Sequence, residues 1–213
     1  MHIAAVDAAL NESEWHGFVA SHSFGHLIAA GDPDREFPVV VPTQFVLAGT
    51  TVWLHLVRAN PFFDAVAENP RVVLSVADDW AFVPSAWKAV GSEDPLLGIP
   101  TTYYGAVQLA GTARVHDERV TPGSVAEILR RQLSAFQPEV DVADPAEVHA
   151  AKLVGILGIE IRISQVLAKF KYGGNVDAEH RQAVVARLLE RDKPGDEAAA
   201  GHVVRRLSAG ERC

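Results

Sequence analysis

Residues 52–76 constrain the fold more tightly than any other stretch, because they carry a strand, a helix and a second strand with their stop signals in place. Trp53, His55 and Val57 alternate with Val52, Leu54 and Leu56. β-Branched and aromatic residues fill most of these positions, the pattern of a buried strand. Asn60 is a good N-cap, and Pro61 suits the first helical position, where its missing N–H costs nothing. The short helix this predicts presents Phe62, Phe63 and Val66 on one side. Asn69 precedes Pro70 and is pushed out of the helical region, so the helix stops there and residues 72–76 resume as a strand. Free N–H groups at such a helix start favour an anion, and Arg58 stands two residues before the cap. Arg58 and Asn60 are therefore candidate phosphate ligands, although a plain structural helix start would look the same.

The rest of the chain repeats this mixture. Trp15, Phe18 and Val19 at i, i+3 and i+4 predict an opening helix over residues 11–22. Residues 24–30 read as a strand. Residues 37–48 read as one longer strand in which Pro38 and Pro42 must avoid a ladder partner, and Gly49-Thr50 forms a hairpin turn into the strand at Val52. A polar loop rich in Gly and Pro (89–100) follows, then a strand over 103–115 in which Gly105 and Gly111 could mark bulges or a barrel corner. A helix from Thr121 toward Phe136 and a second over 145–153 flank an acidic connection. Leu157, Ile159, Ile161 and Ile163 alternate with Gly158, Glu160, Arg162 and Ser164, which predicts a strand with one solvated or interface side. Asp177 can cap a last helix carrying Val184, Val185, Leu188 and Leu189. After Pro194 the chain reads as a short helix or a loosely held tail. About six strands with peripheral helices point to a mainly β chain with α elements (α+β), a small barrel decorated by helices.

Hydrophobic residues make up 48% of the 213 residues and charged residues 22%, ordinary for a globular protein. The net charge of −8 argues against broad attraction to nucleic acid or anionic membrane. One cysteine, Cys213, gives neither a disulfide framework nor a cysteine-based zinc site, which suits a cytoplasmic setting. No apolar run approaches a membrane span or a signal peptide.

Several segments together resemble the PaiB-type, FMN-binding negative transcriptional regulators: Ser23-Phe-Gly-His-Leu, His55-Leu-Val-Arg-Ala-Asn60-Pro61, Phe82-Val-Pro-Ser-Ala-Trp87, Pro100-Thr-Thr-Tyr-Tyr-Gly-Ala-Val107, Gly158-Ile-Glu-Ile-Arg-Ile and Lys169-Phe-Lys-Tyr-Gly-Gly-Asn175. The resemblance implies an FMN-binding split β-barrel of the flavin reductase and pyridoxamine-phosphate-oxidase type, over residues 1–192 with a C-terminal helical extension and a tail at 193–213. It also implies a homodimer with FMN at the subunit interface, the phosphate lying near His55, Arg58 and Asn60 and the ribityl chain near Thr43. Trp87 and Lys88 join the implied cofactor-binding set. Lys88 stands where the family commonly has tyrosine, and Val41 where it more often has histidine.

Each of these residues also has a plainer role. His55 and Trp87 suit packing, and Lys88 and Lys171 are candidates for neutralising a phosphate from a partner subunit or are merely solvated. His22 and His26 have no carboxylate beside them to complete a metal site. No nucleophile motif, P-loop or dinucleotide fingerprint occurs, and no catalytic residue is assigned. Three functions follow: a flavin-dependent oxidoreductase acting on a small molecule, a non-catalytic transcriptional regulator, or a haem-binding split barrel. The acidic charge and the lack of a helix-turn-helix argue against direct DNA reading.

Overall fold

The computed structural model describes residues 1–141 and 143–210; Cys213 and the end of the expected tail lie outside them. In chain order the elements are α1 (Glu12–Ser21), β1 (Phe24–Ala29), β2 (Val39–Gln44), β3 (Val46–Ala48), β4 (Thr51–Val57), α2 (Phe62–Glu68) and β5 (Arg71–Val83). They continue with β6 (Thr101–His116), α3 (Ser124–Phe136), α4 (Pro145–Val148), α5 (Ala150–Leu153), β7 (Ile156–Lys171), α6 (Ala178–Arg191) and α7 (Asp196–Gly210). Asn11 opens α1 by accepting a hydrogen bond from the Glu14 N–H at 3.1 Å. Trp15, Phe18 and Val19 are buried, as their spacing predicts. Among the described residues no helix is long and apolar enough to cross a membrane.

Seven strands among the described residues hydrogen-bond in the order β2-β1-β5-β6-β7-β4-β3. The single strand expected over 37–48 is in fact two. β2 pairs antiparallel with β1, and β3 pairs antiparallel with β4. Between them the Phe45 ring is buried, and the Phe45 N–H donates to the Ser23 carbonyl at 3.0 Å. One continuous peptide thus supplies both ends of the strand order, and the sheet closes on itself. Pro42 lies opposite His26 on β2, an end strand of the order, where a missing N–H removes no second ladder.

The chain divides into two compact units. The barrel unit, His16–Val76 with Gln108–Leu167, holds the closed sheet around Leu27, Leu54, Leu74, Leu109 and Ile159, all fully buried. The side of β7 expected to be solvated or at an interface is covered at Gly158 and Glu160, both buried. α3 lies over it so closely that a Cβ at position 158 would come 2.4 Å from Ile128 Cδ1. Glu160 stays charged there because Arg162 Nε (2.9 Å) and His116 Nε2 (3.1 Å) bind it. Burial raises its pKa, but these hydrogen bonds outweigh burial and hold the carboxyl below the usual range.

The helical unit comprises Met1–Trp15, Ala77–Val107 and Ala168–Cys213. β5 runs past its expected end at Val76 into this unit. Its buried side chains change phase on the way, from Val72, Leu74 and Val76 to Ala81 and Val83. Asp79, with φ of 53°, is the extra residue that shifts the alternation, as a β-bulge does. Asp177 caps α6 through the His180 N–H at 3.0 Å. The segment after Pro194 is a packed helix. α7 buries Ala199, Ala200, Val203 and Leu207, and Arg206 reaches both Glu14 carboxylate oxygens (3.0 and 3.1 Å) and the carbonyls of Val6 and Ala8.

Candidate functional site

The β4–α2 corner forms as the residues dictate. Asn60 Oδ1 accepts from the Phe62 N–H at 2.9 Å, and its carbonyl accepts from the Phe63 N–H at 3.1 Å. The Asn60 side chain therefore binds the first turn, but the helix begins one residue later than expected, with Pro61 rather than Asn60 at its cap position. Arg58, however, is spent inside the barrel unit. Its Nε donates to the Val154 carbonyl at 2.8 Å, and its two terminal nitrogens grip both oxygens of Asp117 at 2.7 Å. The fork holds the Asp117 carboxyl down at about 2, chiefly through the Arg58 hydrogen bonds. Asp64 adds a second negative charge in the first turn of α2. The corner therefore carries no surplus positive charge to offer a phosphate.

The other candidates of the barrel unit are also placed locally. His55 points out of the barrel toward α3, where its Nδ1 lies 2.6 Å from Gln132 Oε1. Beside it, Trp53 has Arg131 over its ring at 5.1 Å. Thr43 is buried opposite Gly25 of β1, its hydroxyl donating to the Gln44 carbonyl at 3.1 Å.

Trp87 and Lys88 close a 3₁₀ turn, Ser85–Lys88, in the helical unit. Arg191 stacks on Trp87 with its guanidinium carbon 4.5 Å from the ring centroid, held by Asp196 and by the Phe82 carbonyl at 2.8 Å. Lys88 lines a cavity of about 400 Å³ with Ala89, Glu93, Asp94, Leu97 and Gly98. Both acids on that wall are occupied. Glu93 accepts from the Val90 N–H (2.9 Å) and meets His180 Nε2 (2.9 Å), and Asp94 accepts from the Leu96 N–H (2.8 Å). Among the described residues Lys88 has no hydrogen-bond or ion-pair partner. Its pKa is pushed down by burial and then by the neighbouring Lys171 ammonium. Lys171 Nζ itself donates to Thr101 Oγ1 at 2.8 Å. Two residues along β6, the Tyr103 hydroxyl is buried without a partner, its pKa pushed up to about 12 by burial.

Thr101 and Asp117 were not singled out by the residues. Asp117 lies 59 positions from Arg58, and nothing local in either segment signals the pairing. Thr101 sits in a Pro-Thr-Thr stretch that reads only as a strand start.

The fold and these sites define a split-barrel protein with cationic positions on two separate elements. Residues 1–165 match the family described as "Putative FMN-binding domain", and the chain belongs to that family. Family membership makes FMN or a related flavin its cofactor. Among solved structures, the chain is similar to the flavocytochrome Anf3 of Azotobacter vinelandii (21% identity, TM-score 0.58, 85% of this chain and 78% of that one). It is similar to the FAD and heme binding protein of Mycobacterium smegmatis (17%, 0.57, 83% and 79%). A conserved hypothetical protein of Mycobacterium tuberculosis is similar too (15%, 0.57, 83% and 94%). These likenesses establish the shared fold. No curated protein sequence matches the chain.

The donor set of the helical unit fits a phosphorylated flavin. Lys88 and Lys171 offer ammonium groups with no carboxylate committed to them, and the absence of a side chain at Gly98 lets the chain pack directly against the Ser85–Lys88 turn. A Cβ there would lie 2.1 Å from the Ser85 carbonyl and 3.0 Å from Lys88 Cβ.

Proposed function

We propose that this protein is a homodimeric, cytoplasmic FMN-binding split barrel of the PaiB-like kind that acts as a flavin-dependent oxidoreductase on a small molecule. The observation that carries the reading is the family match over residues 1–165, which spans every barrel strand except the end of β7. When bound, the flavin supplies the redox chemistry, so the chain needs no nucleophile or acid–base pair of its own. Its residues have three tasks: to hold the phosphate, to wall the ring from water and to form the subunit contact. Trp87 and Lys88 of the helical unit are the proposed cofactor contacts.

The subunit contact finds support in the outer face of the barrel. Phe24, His26 and Ile28 of β1 lie in register with Gln44, Pro42 and Val40 of β2, and Phe24 and Val40 are both more than half exposed. Four of these six residues are apolar, and a largely apolar sheet face of this kind suits a second copy of the chain.

The reading is tested by absorbance and fluorescence titration of the purified protein with FMN, run beside sedimentation analysis. A yellow complex with one flavin per protomer in a dimer is expected. A colourless protein that retards DNA would favour the regulator, and a Soret band would favour haem.

A further inference from the structure

We propose that the His180 imidazolium latches the loop of residues 89–100 to the start of α6 and that loss of its proton releases the loop, so that rising pH frees the wall of the cavity beside Lys88. The latch lies within the helical unit and is independent of the cofactor reading above.

Little else holds the middle of this loop. Its apolar side chains face water, Leu96 being 85% exposed and Leu97 and Ile99 both 79%. Burial therefore contributes little, and segments of this kind are the first to open. At the start of the loop Arg187 of α6 donates to the carbonyls of Ala86 and Ala89, both at 3.3 Å. Toward its end Gly98 packs against the Ser85 carbonyl. Between these points, among the described residues, the side-chain tie from residues 90–98 to α6 is that of Glu93 Oε2 to His180 Nε2, at 2.9 Å. Glu93 lines both the cavity at Lys88 and a neighbouring one of about 320 Å³, so the tie sits on a wall the two share.

On the other side of the ring, His180 Nδ1 lies 2.8 and 2.9 Å from the two carboxylate oxygens of Asp177. An ionised carboxylate only accepts, and a neutral imidazole has one N–H. A ring with a carboxylate on each nitrogen is therefore held as the imidazolium. Asp177, from its own helix cap, and Glu93, from the loop, are the charged groups that face His180. Among the described residues neither carboxylate pairs with another cation. Both hold the ring's pKa above its ordinary 6.5, Asp177 first and Glu93 next.

The two ties differ in what remains when the ring is neutral. Asp177 Oδ1 also accepts the His180 backbone N–H at 3.0 Å, so Asp177 keeps the Nδ1 proton. The Nε2 proton leaves to solvent, and a lone pair then faces the Glu93 carboxylate, which Asp177 also repels. Because the folded pKa is raised, the tie is fully present below about pH 6.5 and is lost as pH rises through the folded value.

Amide hydrogen exchange at Val90, Glu93 and Leu97, corrected for intrinsic rates, would be measured on the full chain at pH 6 and pH 9 for the wild type, His180→Gln, His180→Arg and Glu93→Gln. The wild-type loop is expected to open about threefold more at pH 9. His180→Gln, which does not titrate, should show the same protection at both pH values, and His180→Arg should stay closed at pH 9. The His180 ring titration, followed by proton NMR, should move down toward 6.5 in Glu93→Gln, a response that a histidine with no tie to the loop would not give. Protection in the wild type that does not change with pH overturns the proposal, as does an equal pH response in the wild type and His180→Gln. If the His180 variants lose protection at Leu74 of β5, their fold is disturbed and Glu93→Gln decides: an unchanged ring titration there overturns the latch.

Discussion

The β4–α2 corner and the Lys88–Lys171 pair are both basic, and they solve the problem of a partly buried cation in opposite ways. At the corner a guanidinium meets a carboxylate across two bonds of 2.7 Å, with a carbonyl on its remaining edge. The barrel unit is complete there without any ligand. At the lysine pair one ammonium is steadied by a hydroxyl, and the other makes no hydrogen bond or ion pair among the described residues although Glu93 and Asp94 share its cavity wall. A cation beside a helix cap is thus a weak sign of an anion site, since a distant acid can close the circuit. A cation left uncompensated by the folded chain is better evidence.

Breaking a fully satisfied cation should cost the most. Arg206 and Glu14 form the most deeply buried ion pair described, and Arg206→Ala should lower stability by about 3–5 kcal/mol in urea unfolding. A loss below about 1 kcal/mol would remove the paired extreme of the comparison.

The Arg58 fork comes next. The Asp117 pKa in the fold, about 2, is below its ordinary 3.8. Its contribution is therefore fully present above about pH 4 and lost as pH falls through about 2. Because both side chains are partly exposed, solvent screening keeps this contribution small. Thermal melts from pH 6 to 2 should show this acid limb in the wild type and a flatter profile in Asp117→Asn.

Lys88→Ala should move the other way, raising Tm by about 1–2 °C in ligand-free protein because it removes a like-charge contact. A fall of that size would mean that Lys88 has a structural partner and would erase the contrast. Smallest of all, Tyr103→Phe removes a buried hydroxyl that makes no hydrogen bond. Calorimetry should find stability unchanged or raised by less than about 1 kcal/mol.

The sequence announces its local features well and its long-range pairings hardly at all. The helix start at Asn60, the caps at Asn11 and Asp177, the hairpin at Gly49 and the buried stripe of Trp15, Phe18 and Val19 depend on neighbours within four residues, and each is present. The break at Phe45 is not foreseeable locally, because what splits residues 37–48 is the demand that one end pair with β1 and the other with β4. The bulge at Asp79 hides within a run that keeps its apolar character while changing phase. The covered side of β7 shows the same limit: Gly158 looks like a gap in a polar face until α3 is placed against it. Of the proposed cofactor contacts, Trp87 and Lys88 come into view only through resemblance.

Closure at Phe45 also sets where this protein can be recut. A circular permutant opened in the turn at Gly49 still joins β2 to β3 through a peptide bond, so the two rims of the barrel are delivered together at high effective concentration. A permutant opened at Phe45 has the same strands and the same buried surface, but its rims are the two chain ends, free to part. The stability difference between the two permutants would measure how much of the barrel is held shut by covalent continuity rather than by its hydrogen-bonded ladders.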